Sequence, residues 1–264
     1  MSPQEIPGPT ASGPRVGFLV AGVQKGGTTA LFDYLSEHAG LFLPAIKEVH
    51  FFDDEVDVDW SAPDYGRYHA LFPDKGEANG RLLGEATPIY LYWPESLERI
   101  AAYNPAMRLI LVFRDPIDRA WSHWKMEYAR KAETQSFAWC VREGRARVAE
   151  DPNTPGFHRE FSYVERGFYG AQVERLLTLF PREQVLFLRS EDLRAEPARI
   201  LCKVCDFLHA PRFVQIEPKE SHLSKDIDYG LTINNDDRRY LRSLYANDQI
   251  LFSKLTGIQF SSFE

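Results

Sequence analysis

A short segment near the start of the chain places a lysine, two glycines and two threonines directly after an apolar run. The chain there reads V-G-F-L-V-A-G-V-Q-K-G-G-T-T-A-L, and the apolar residues predict a strand that enters the segment. Gly26 and Gly27 allow backbone N–H groups to turn toward an anion, while Thr28 and Thr29 begin a predicted helix whose N-terminus adds aligned dipoles. Because Lys25 adds a point charge, the segment predicts an anion-binding loop.

The order of these residues distinguishes the loop from that of nucleoside triphosphatases. The triphosphate loop reads G-x-x-x-x-G-K-[ST], with its lysine after the glycines, whereas Lys25 precedes Gly26. The alternative is a glycine-rich connection that binds nothing. The succession of strand, K-G-G-T-T and helix argues against that alternative, so we expect a phosphate cradle of a different type.

A second candidate site follows another apolar run, in L-I-L-V-F-R-D-P-I-D-R-A-W-S-H-W. Arg114 ends the predicted strand, Asp115 is suited to cap the next helix, and Pro116 is suited to its first position. Ser122 follows on that helix, so a guanidinium and a hydroxyl could bind one phosphate from two sides. An arginine in a surface ion pair and a serine facing water explain these residues equally well.

The segment P-A-I-K-E-V-H-F-F-D supplies a possible acid–base pair. Glu48 and His50 are two residues apart, so in an extended segment they project to the same side. A carboxylate held in a cleft can accept the proton of an attacking hydroxyl. A surface strand with ordinary charges is the alternative, and these residues alone favour it.

Strands and helices alternate along the chain, which predicts an α/β fold with a central, mainly parallel sheet flanked by helices. Strands are predicted at residues 16–21, 41–43, 82–85, 109–113 and 185–188. Helices are predicted at residues 28–37, 95–103, 116–130, 169–180, 197–208 and 236–255.

The remaining segments fix the expected domain organisation. Residues 1–14 are rich in proline and predict a disordered tail, and residues 15–264 predict a single domain because no interior linker occurs. Residues 151–161 predict a loop. Residues 218–235 predict a long loop facing a ligand.

Composition excludes several classes of partner and site. A net charge of −7 argues against nucleic-acid binding, and no apolar run is long enough for a transmembrane segment. The absence of a signal peptide and the presence of three cysteines predict a cytoplasmic protein. Cys202 and Cys205 form a C-x-x-C, which we interpret as part of a packed helix. The sequence contains no cluster of carboxylate and histidine residues that would suggest a metal site, so we expect no metal.

The motifs resemble those of one enzyme family. Q-K-G-G-T-T-A-L resembles the 5'-phosphosulfate loop of sulfotransferases that use 3'-phosphoadenosine-5'-phosphosulfate (PAPS), and R-D-P-x-x-R-A-x-S is similar to their 3'-phosphate signature. K-E-x-H-F-F-D is similar to the base-supplying segment of the heparan sulfate (Golgi-type) sulfotransferases and their bacterial relatives. Ala30, where cytosolic sulfotransferases carry an aromatic residue, favours the same group. The resemblance implies a P-loop-like, PAPS-binding fold.

The resemblance also implies roles for the candidate residues. Residues 26–29 would hold the 5'-phosphosulfate, and Lys25 would stabilise charge on the bridging oxygen as adenosine 3',5'-bisphosphate (PAP) leaves. Arg114 and Ser122 would bind the 3'-phosphate. PAPS is then the co-substrate, and no metal is needed.

On the acceptor side, the resemblance makes Glu48 the base and His50 a hydrogen-bonding or orienting group. The acceptor would be a hydroxyl, less readily an amine, of a small molecule, a lipid or a glycan. Arg119 also fits the second motif, and we expect it to pair with a local carboxylate. Five aromatic residues are candidates for lining the acceptor pocket, although core packing explains them equally well: Tyr65, Tyr68, Tyr90, Tyr92 and Trp93.

Three positions depart from the family's pattern. Heparan sulfate 3-O-sulfotransferases have a lysine where this chain has Ala86, and N-sulfotransferases have one where it has Val112. Both differences argue against a heparan-type acceptor. The family's late lysine-glycine loop is replaced by residues 221–225, in which Lys225 is a candidate nucleotide contact.

Two other functions remain open. An ATP- or GTP-dependent phosphotransferase would explain a strand that ends near an acidic residue, but the lysine-before-glycine order argues against it. A non-catalytic module that keeps the nucleotide cleft is the other alternative. The joint presence of Lys25, Glu48, Arg114 and Ser122 argues against that module.

Overall fold

The computed structural model describes most of the chain. The described residues are 15–74, 78–149, 157–216 and 232–263. The predicted tail, Lys225 and large parts of the two predicted loops lie outside them. Among the described residues, no helix is both long enough and apolar enough to cross a membrane.

The chain divides into two compact units, each built from two stretches of sequence. The first unit comprises Met1–Phe113 and Leu176–His222, and the second comprises Arg114–Arg175 and Leu223–Glu264. The prediction of a single domain from residue 15 onward stays a prediction.

The first unit contains a five-stranded parallel sheet, in which the strand order is β2-β3-β1-β4-β5. The strands are β1 (Phe18–Gly22), β2 (Leu41–Phe42), β3 (Leu82–Ala86), β4 (Arg108–Phe113) and β5 (Val185–Arg189). The helices among the described residues of both units are α1 (Thr28–Ser36), α2 (Gly66–His69), α3 (Ser96–Tyr103), α4 (Pro116–Ala129), α5 (Phe137–Cys140), α6 (Ala146–Ala149), α7 (Tyr169–Leu179), α8 (Ser190–Ala195), α9 (Pro197–Leu208) and α10 (Asn235–Thr256). The predicted α/β class with a parallel sheet is confirmed.

Both faces of the sheet are buried, because β1 and β4 are apolar at successive positions. Phe18 and Ile110 pack in one apolar cluster with side chains of α1, α8 and α9. Leu19 and Leu109 point to the opposite face and are also fully buried. Strands of this kind, covered on both sides, leave only their ends available for a site.

Helix α9 contains the C-x-x-C and confirms its interpretation as part of a packed helix. Cys205 is buried, Cys202 is partly exposed, and both are free thiols. Burial raises the pKa of the Cys205 thiol. The side chain is therefore a small apolar member of the core and a poor nucleophile.

The second unit is helical and centres on α4 and α10. Ile117, Ala120 and Trp124 of α4 pack with Leu241 and Tyr245 of α10 in one apolar cluster. Spacings of three and four residues place the α4 members on one face of that helix.

Candidate active site

The phosphate loop occupies the turn between β1 and α1, where Gly26 is fixed by its surroundings. A Cβ atom at Gly26 would lie 2.1 Å from the Val112 carbonyl oxygen and 2.9 Å from the Val23 carbonyl oxygen. The Gly26 amide donates to that Val23 carbonyl at 2.9 Å. Its N–H is therefore bonded within the loop, and the role of Gly26 is steric.

The start of α1 provides the donors that face outward. Gly27 is the N-cap, with φ +96, and no side chain caps the helix. No acidic residue lies in the first turn, so the positive end of the helix dipole is not neutralised locally. The first amides of a helix have no partner inside it, which leaves those of Gly27, Thr28 and Thr29 suited to an anion. The Thr29 side chain is exposed, whereas Thr28 is buried.

Three predicted catalytic residues share an unusual main-chain conformation. The φ angles of Lys25, Glu48 and His50 are +68, +65 and +56. L-amino acids rarely adopt this left-handed region, and it costs free energy unless neighbouring contacts impose it. Lys47 to His50 therefore do not form the extended segment that the sequence predicted.

The Glu48 and His50 side chains nevertheless lie together. The distance from His50 Nε2 to Glu48 Oε2 is 3.7 Å, and Lys47 Nζ lies 2.5 Å from Glu48 Oε1. His50 Nδ1 lies 2.9 Å from Oδ2 of Asp53, a fully buried residue. Sequence reasoning missed Asp53, although it stands three residues after His50 in the motif.

These contacts set opposite charges on the pair. Burial alone would raise the pKa of Glu48, but hydrogen bonds from His50 and Lys47 together with their positive charges lower that pKa to about 2. The hydrogen bond to Asp53, followed by that to Glu48, raises the pKa of His50 to about 9. Glu48 is thus a carboxylate and His50 an imidazolium at neutral pH.

The end of β3 lies beside this pair and adds three polar residues. The Glu48 amide donates to the Ala86 carbonyl at 2.9 Å. The Thr87 hydroxyl donates to Oε2 of the fully buried Glu85 at 2.7 Å. Tyr90 accepts the Phe51 amide at 3.1 Å. The G-E-A-T-P-I-Y segment supplies these groups, and the sequence alone pointed only to Ala86, as a departure from the family's pattern, and to Tyr90, as a candidate for lining the acceptor pocket.

The second unit carries the other predicted phosphate residues. Asp115 caps α4 by accepting the amides of Ile117 at 2.9 Å and Asp118 at 3.2 Å, and Pro116 is the first residue of the helix, as predicted. The Arg114 guanidinium makes no salt bridge among the described residues and is partly exposed, which leaves it suited to an external anion.

The side chains of Ser122 and Arg119, both on α4, have different surroundings. Ser122 is largely buried on the helix two turns past its start. Arg119 is fully buried and donates to the Tyr163 carbonyl, without a carboxylate partner among the described residues. The expectation that Arg119 pairs with a carboxylate is therefore wrong, because the nearest strong acceptor is a backbone carbonyl.

The five aromatic candidates for an acceptor pocket are buried. Tyr68 and Tyr90 are fully buried, and Tyr68 stacks on Phe51 with ring centroids 4.8 Å apart. Tyr65, Tyr92 and Trp93 are at most 6% exposed. The packing favours core membership over acceptor contact for this set.

No group of three or more metal-ligating side chains occurs among the described residues. Nothing in this arrangement therefore identifies a metal site within the described part of the chain.

Three comparisons relate the chain to known proteins. The sulfotransferase domain model matches residues 17–239. Heparan sulfate glucosamine 3-O-sulfotransferase 3B1 from Homo sapiens is 31% identical over 198 residues, which cover 74% of this chain and 46% of that protein. Heparan sulfate glucosamine 3-O-sulfotransferase 6 from Homo sapiens is 34% identical over 213 residues, which cover 78% of this chain and 57% of that protein. The chain thus spans about half the length of the curated relatives it matches.

A solved structure agrees with these sequence matches. The crystal structure of a sulfotransferase from Alicyclobacillus acidocaldarius superposes with a TM-score of 0.77 and 27% identity, covering 95% of this chain and 99% of that one. The family inferred from the loop, the R-D-P motif and the K-E-x-H segment is confirmed. The chain belongs to the sulfotransferase domain family of enzymes.

Proposed function

We propose that the protein transfers a sulfuryl group from PAPS to an acceptor hydroxyl and releases PAP. The loop between β1 and α1 carries this proposal. A side chain at Gly26 has no room, and α1 begins with neither a side-chain cap nor an acidic residue in its first turn. Such a helix start binds phosphate-type anions, and family membership favours PAPS as that anion.

The chain's own residues match the two charged ends of this co-substrate. The amides of Gly27 to Thr29 and the exposed Thr29 hydroxyl would bind the 5'-phosphosulfate. Lys25 would stabilise the charge that develops on the 5'-phosphate oxygen as the bond to sulfur breaks. Arg114, which makes no salt bridge among the described residues, and Ser122 would bind the 3'-phosphate.

The charges of the acceptor-side pair support Glu48 as the base. His50 has a pKa of about 9, so at neutral pH it is already protonated and cannot accept another proton. Glu48 is ionised and can accept one. As the acceptor oxygen bonds to sulfur, its proton would therefore pass to Glu48, while the His50 imidazolium would orient the carboxylate or the acceptor.

The acceptor class is inferred from the relatives and from two buried positions. The relatives are named for 3-O-sulfation of heparan sulfate glucosamine, which favours a hydroxyl over an amine. Ala86 and Val112, which replace family lysines, are fully buried, and an alanine or valine offers no charge to a sulfated chain. We propose a hydroxyl of a small molecule, a lipid or a weakly charged glycan.

Titration calorimetry tests the nucleotide. We expect PAP to bind far more tightly than AMP or ATP, with no magnesium requirement. Arg114→Ala should weaken PAP binding by about ten- to a hundredfold and leave AMP binding unchanged, because a charge-assisted bond is worth roughly 1.5–3 kcal/mol. Arg130→Ala, at the exposed end of α4, is the matched control. Equal affinities for PAP and AMP would refute the 3'-phosphate assignment, and a magnesium-dependent preference for ATP would favour the phosphotransferase.

Transfer from PAPS to a panel of alcohols, followed by mass spectrometry of the products, tests the chemistry. Glu48→Gln keeps the shape and loses the basicity, so turnover should fall by about two to four orders of magnitude while PAP affinity is retained. His50→Ala should have a smaller effect. An active Glu48→Gln with an inactive His50→Ala would move the base to His50. Tight PAP binding without transfer to any alcohol or amine would favour the non-catalytic module.

A further inference from the structure

A carboxyl group lies inside the sheet where the proposed chemistry does not use it. Glu85 belongs to β3, is fully buried, and its Oε1 atom has no hydrogen-bond partner in the described part of the chain. Burial raises its pKa to about 7, against the opposing hydrogen bonds of Thr87 and Tyr90. A buried carboxyl of this kind costs free energy that an apolar residue of similar size would not. Packing alone does not explain it.

The contacts of Glu85 show what the carboxyl holds. It accepts a hydrogen bond from the Thr87 hydroxyl at 2.7 Å, and an interaction with the Tyr90 hydroxyl lowers its pKa. Each hydroxyl has a single proton to donate. A hydroxyl that directs its proton at Glu85 keeps its lone pairs for other donors.

Those donors are main-chain amides of the segment that carries the acid–base pair. Tyr90 accepts the Phe51 amide at 3.1 Å and the Phe52 amide at 3.5 Å. Thr87 receives the His50 amide at a long 3.5 Å. The Tyr90 contact to Phe51 is the shortest of the three, so we regard it as the main attachment.

This attachment meets a need of the segment. Glu48 and His50 both have left-handed main chains, which are retained only where surrounding contacts impose them. The Glu48 amide is fixed by the Ala86 carbonyl at 2.9 Å. The amides that follow His50 bond to the Tyr90 hydroxyl, which in turn interacts with the Glu85 carboxyl.

We propose that Glu85 is a positioning residue: through the hydroxyls of Thr87 and Tyr90 it fixes the main chain from Glu48 to Phe52 and so holds Glu48 and His50 for proton transfer. This inference rests on the proposed function for its catalytic consequence. Its geometric part concerns only the placement of His50 against Asp53 and Glu48, which can be measured without any substrate.

The experiment compares Tyr90→Phe, Thr87→Val and Glu85→Leu with two controls. Thr87→Ser keeps the hydroxyl. Tyr103→Phe removes another buried hydroxyl, which accepts the Val16 amide at 3.2 Å and lies 3.0 Å from His69 Nε2, and it keeps the ring that packs against Phe52. The tyrosine control therefore matches the loss of a buried hydroxyl bonded to an amide.

Two measurements are made on each protein: the His50 pKa by NMR titration, and kcat with PAP affinity. In Tyr90→Phe and Glu85→Leu we expect the His50 pKa to fall from about 9 toward its usual 6.5, and kcat to fall by up to about a hundredfold with PAP affinity retained. Thr87→Val should give smaller changes in the same direction. Thr87→Ser and Tyr103→Phe should resemble the wild type.

The outcomes separate this inference from the proposed function. An unchanged His50 pKa in Tyr90→Phe and Thr87→Val overturns the positioning role, whether or not the enzyme turns over. If Glu85→Leu fails to fold, the other two variants decide the question. A wild type that transfers no sulfate refutes the proposed function. A lowered His50 pKa in the variants would still support the geometric part of the inference.

Discussion

The ion pair of Glu48 and His50 depends on single side chains that the sequence places close together. Asp53 raises the pKa of His50 most, and Glu48 comes second. In the proposed mechanism the resulting imidazolium gives the two candidate bases different roles, since only the carboxylate has a vacant proton site at neutral pH. The sequence motif identified Glu48 and His50 as candidates. Their different charges became evident only from the contact between His50 and Asp53.

The pH dependence of stability follows from this pair. The folded-state pKa of His50 lies above its usual 6.5, so folding strengthens proton binding. That stabilisation is complete below pH 6.5 and is lost as the pH rises through about 9. Between these limits, the free energy of unfolding should fall more in the wild type than in His50→Gln. We expect a difference on the order of 1 kcal/mol, because a side chain 44% exposed is partly screened.

Urea unfolding at several pH values measures that difference. Groups other than His50 titrate in both proteins and cancel in the comparison. Parallel pH profiles for the wild type and His50→Gln would contradict the imidazolium assignment.

Lys25 is the residue whose loss should affect the chemical step most directly. Lys25→Ala removes the cation beside the proposed leaving oxygen, so kcat should fall by roughly a hundredfold or more. Single-turnover kinetics measure this effect, and Lys203→Ala, on the exposed side of α9, is the control. A variant in which only KM changes would make Lys25 a binding residue.

At the scale of elements, the five strands and six longest helices were predicted because their apolar patterns are long or continuous. Helices α2, α5, α6 and α8 have four to six residues. Such short helices contain too little periodicity to be recognised and depend on contacts made elsewhere in the chain.

The main-chain conformation of the segment around Glu48 could not be predicted from the sequence. The sequence interpretation placed Glu48 and His50 in an extended segment, yet both residues are left-handed. A glutamate does not signal a positive φ, and although histidine is enriched in that region, few histidines adopt it. The conformation follows from bonds to Ala86, Thr87 and Tyr90, which lie almost forty residues later.

The close packing of the predicted phosphate loop against β4 leads to a prediction about Gly26. Gly26→Ala places a methyl group 2.1 Å from the Val112 carbonyl oxygen, which belongs to β4 and cannot move easily. We expect a loss of about 3 kcal/mol in the free energy of unfolding and little remaining PAP affinity. Gly80→Ala is the control, because no atom lies within 4 Å of its Cβ and only its positive φ opposes the change. Equal destabilisation by the two variants would contradict the steric role of Gly26.

At the scale of the whole molecule, a single domain and two separate compact units predict different unfolding behaviour. A single domain predicts one cooperative transition that PAP shifts as a whole. At a hundredfold excess over its dissociation constant, PAP should stabilise the protein by about 2.7 kcal/mol. Scanning calorimetry measures both quantities, with Arg114→Ala as the control that should lose most of the shift. Two separate transitions would overturn the single-domain prediction.

The left-handed main chain at Lys25, Glu48 and His50 has a consequence for how this protein would respond to selection. Each position costs about 1 kcal/mol that glycine would largely avoid. A library selected only for heat resistance should therefore accumulate glycine at Lys25 before it does so at Glu48 or His50, because the ion pair between those two residues offsets their main-chain cost. Lineages under selection for turnover should keep the original residues and acquire their compensating substitutions elsewhere.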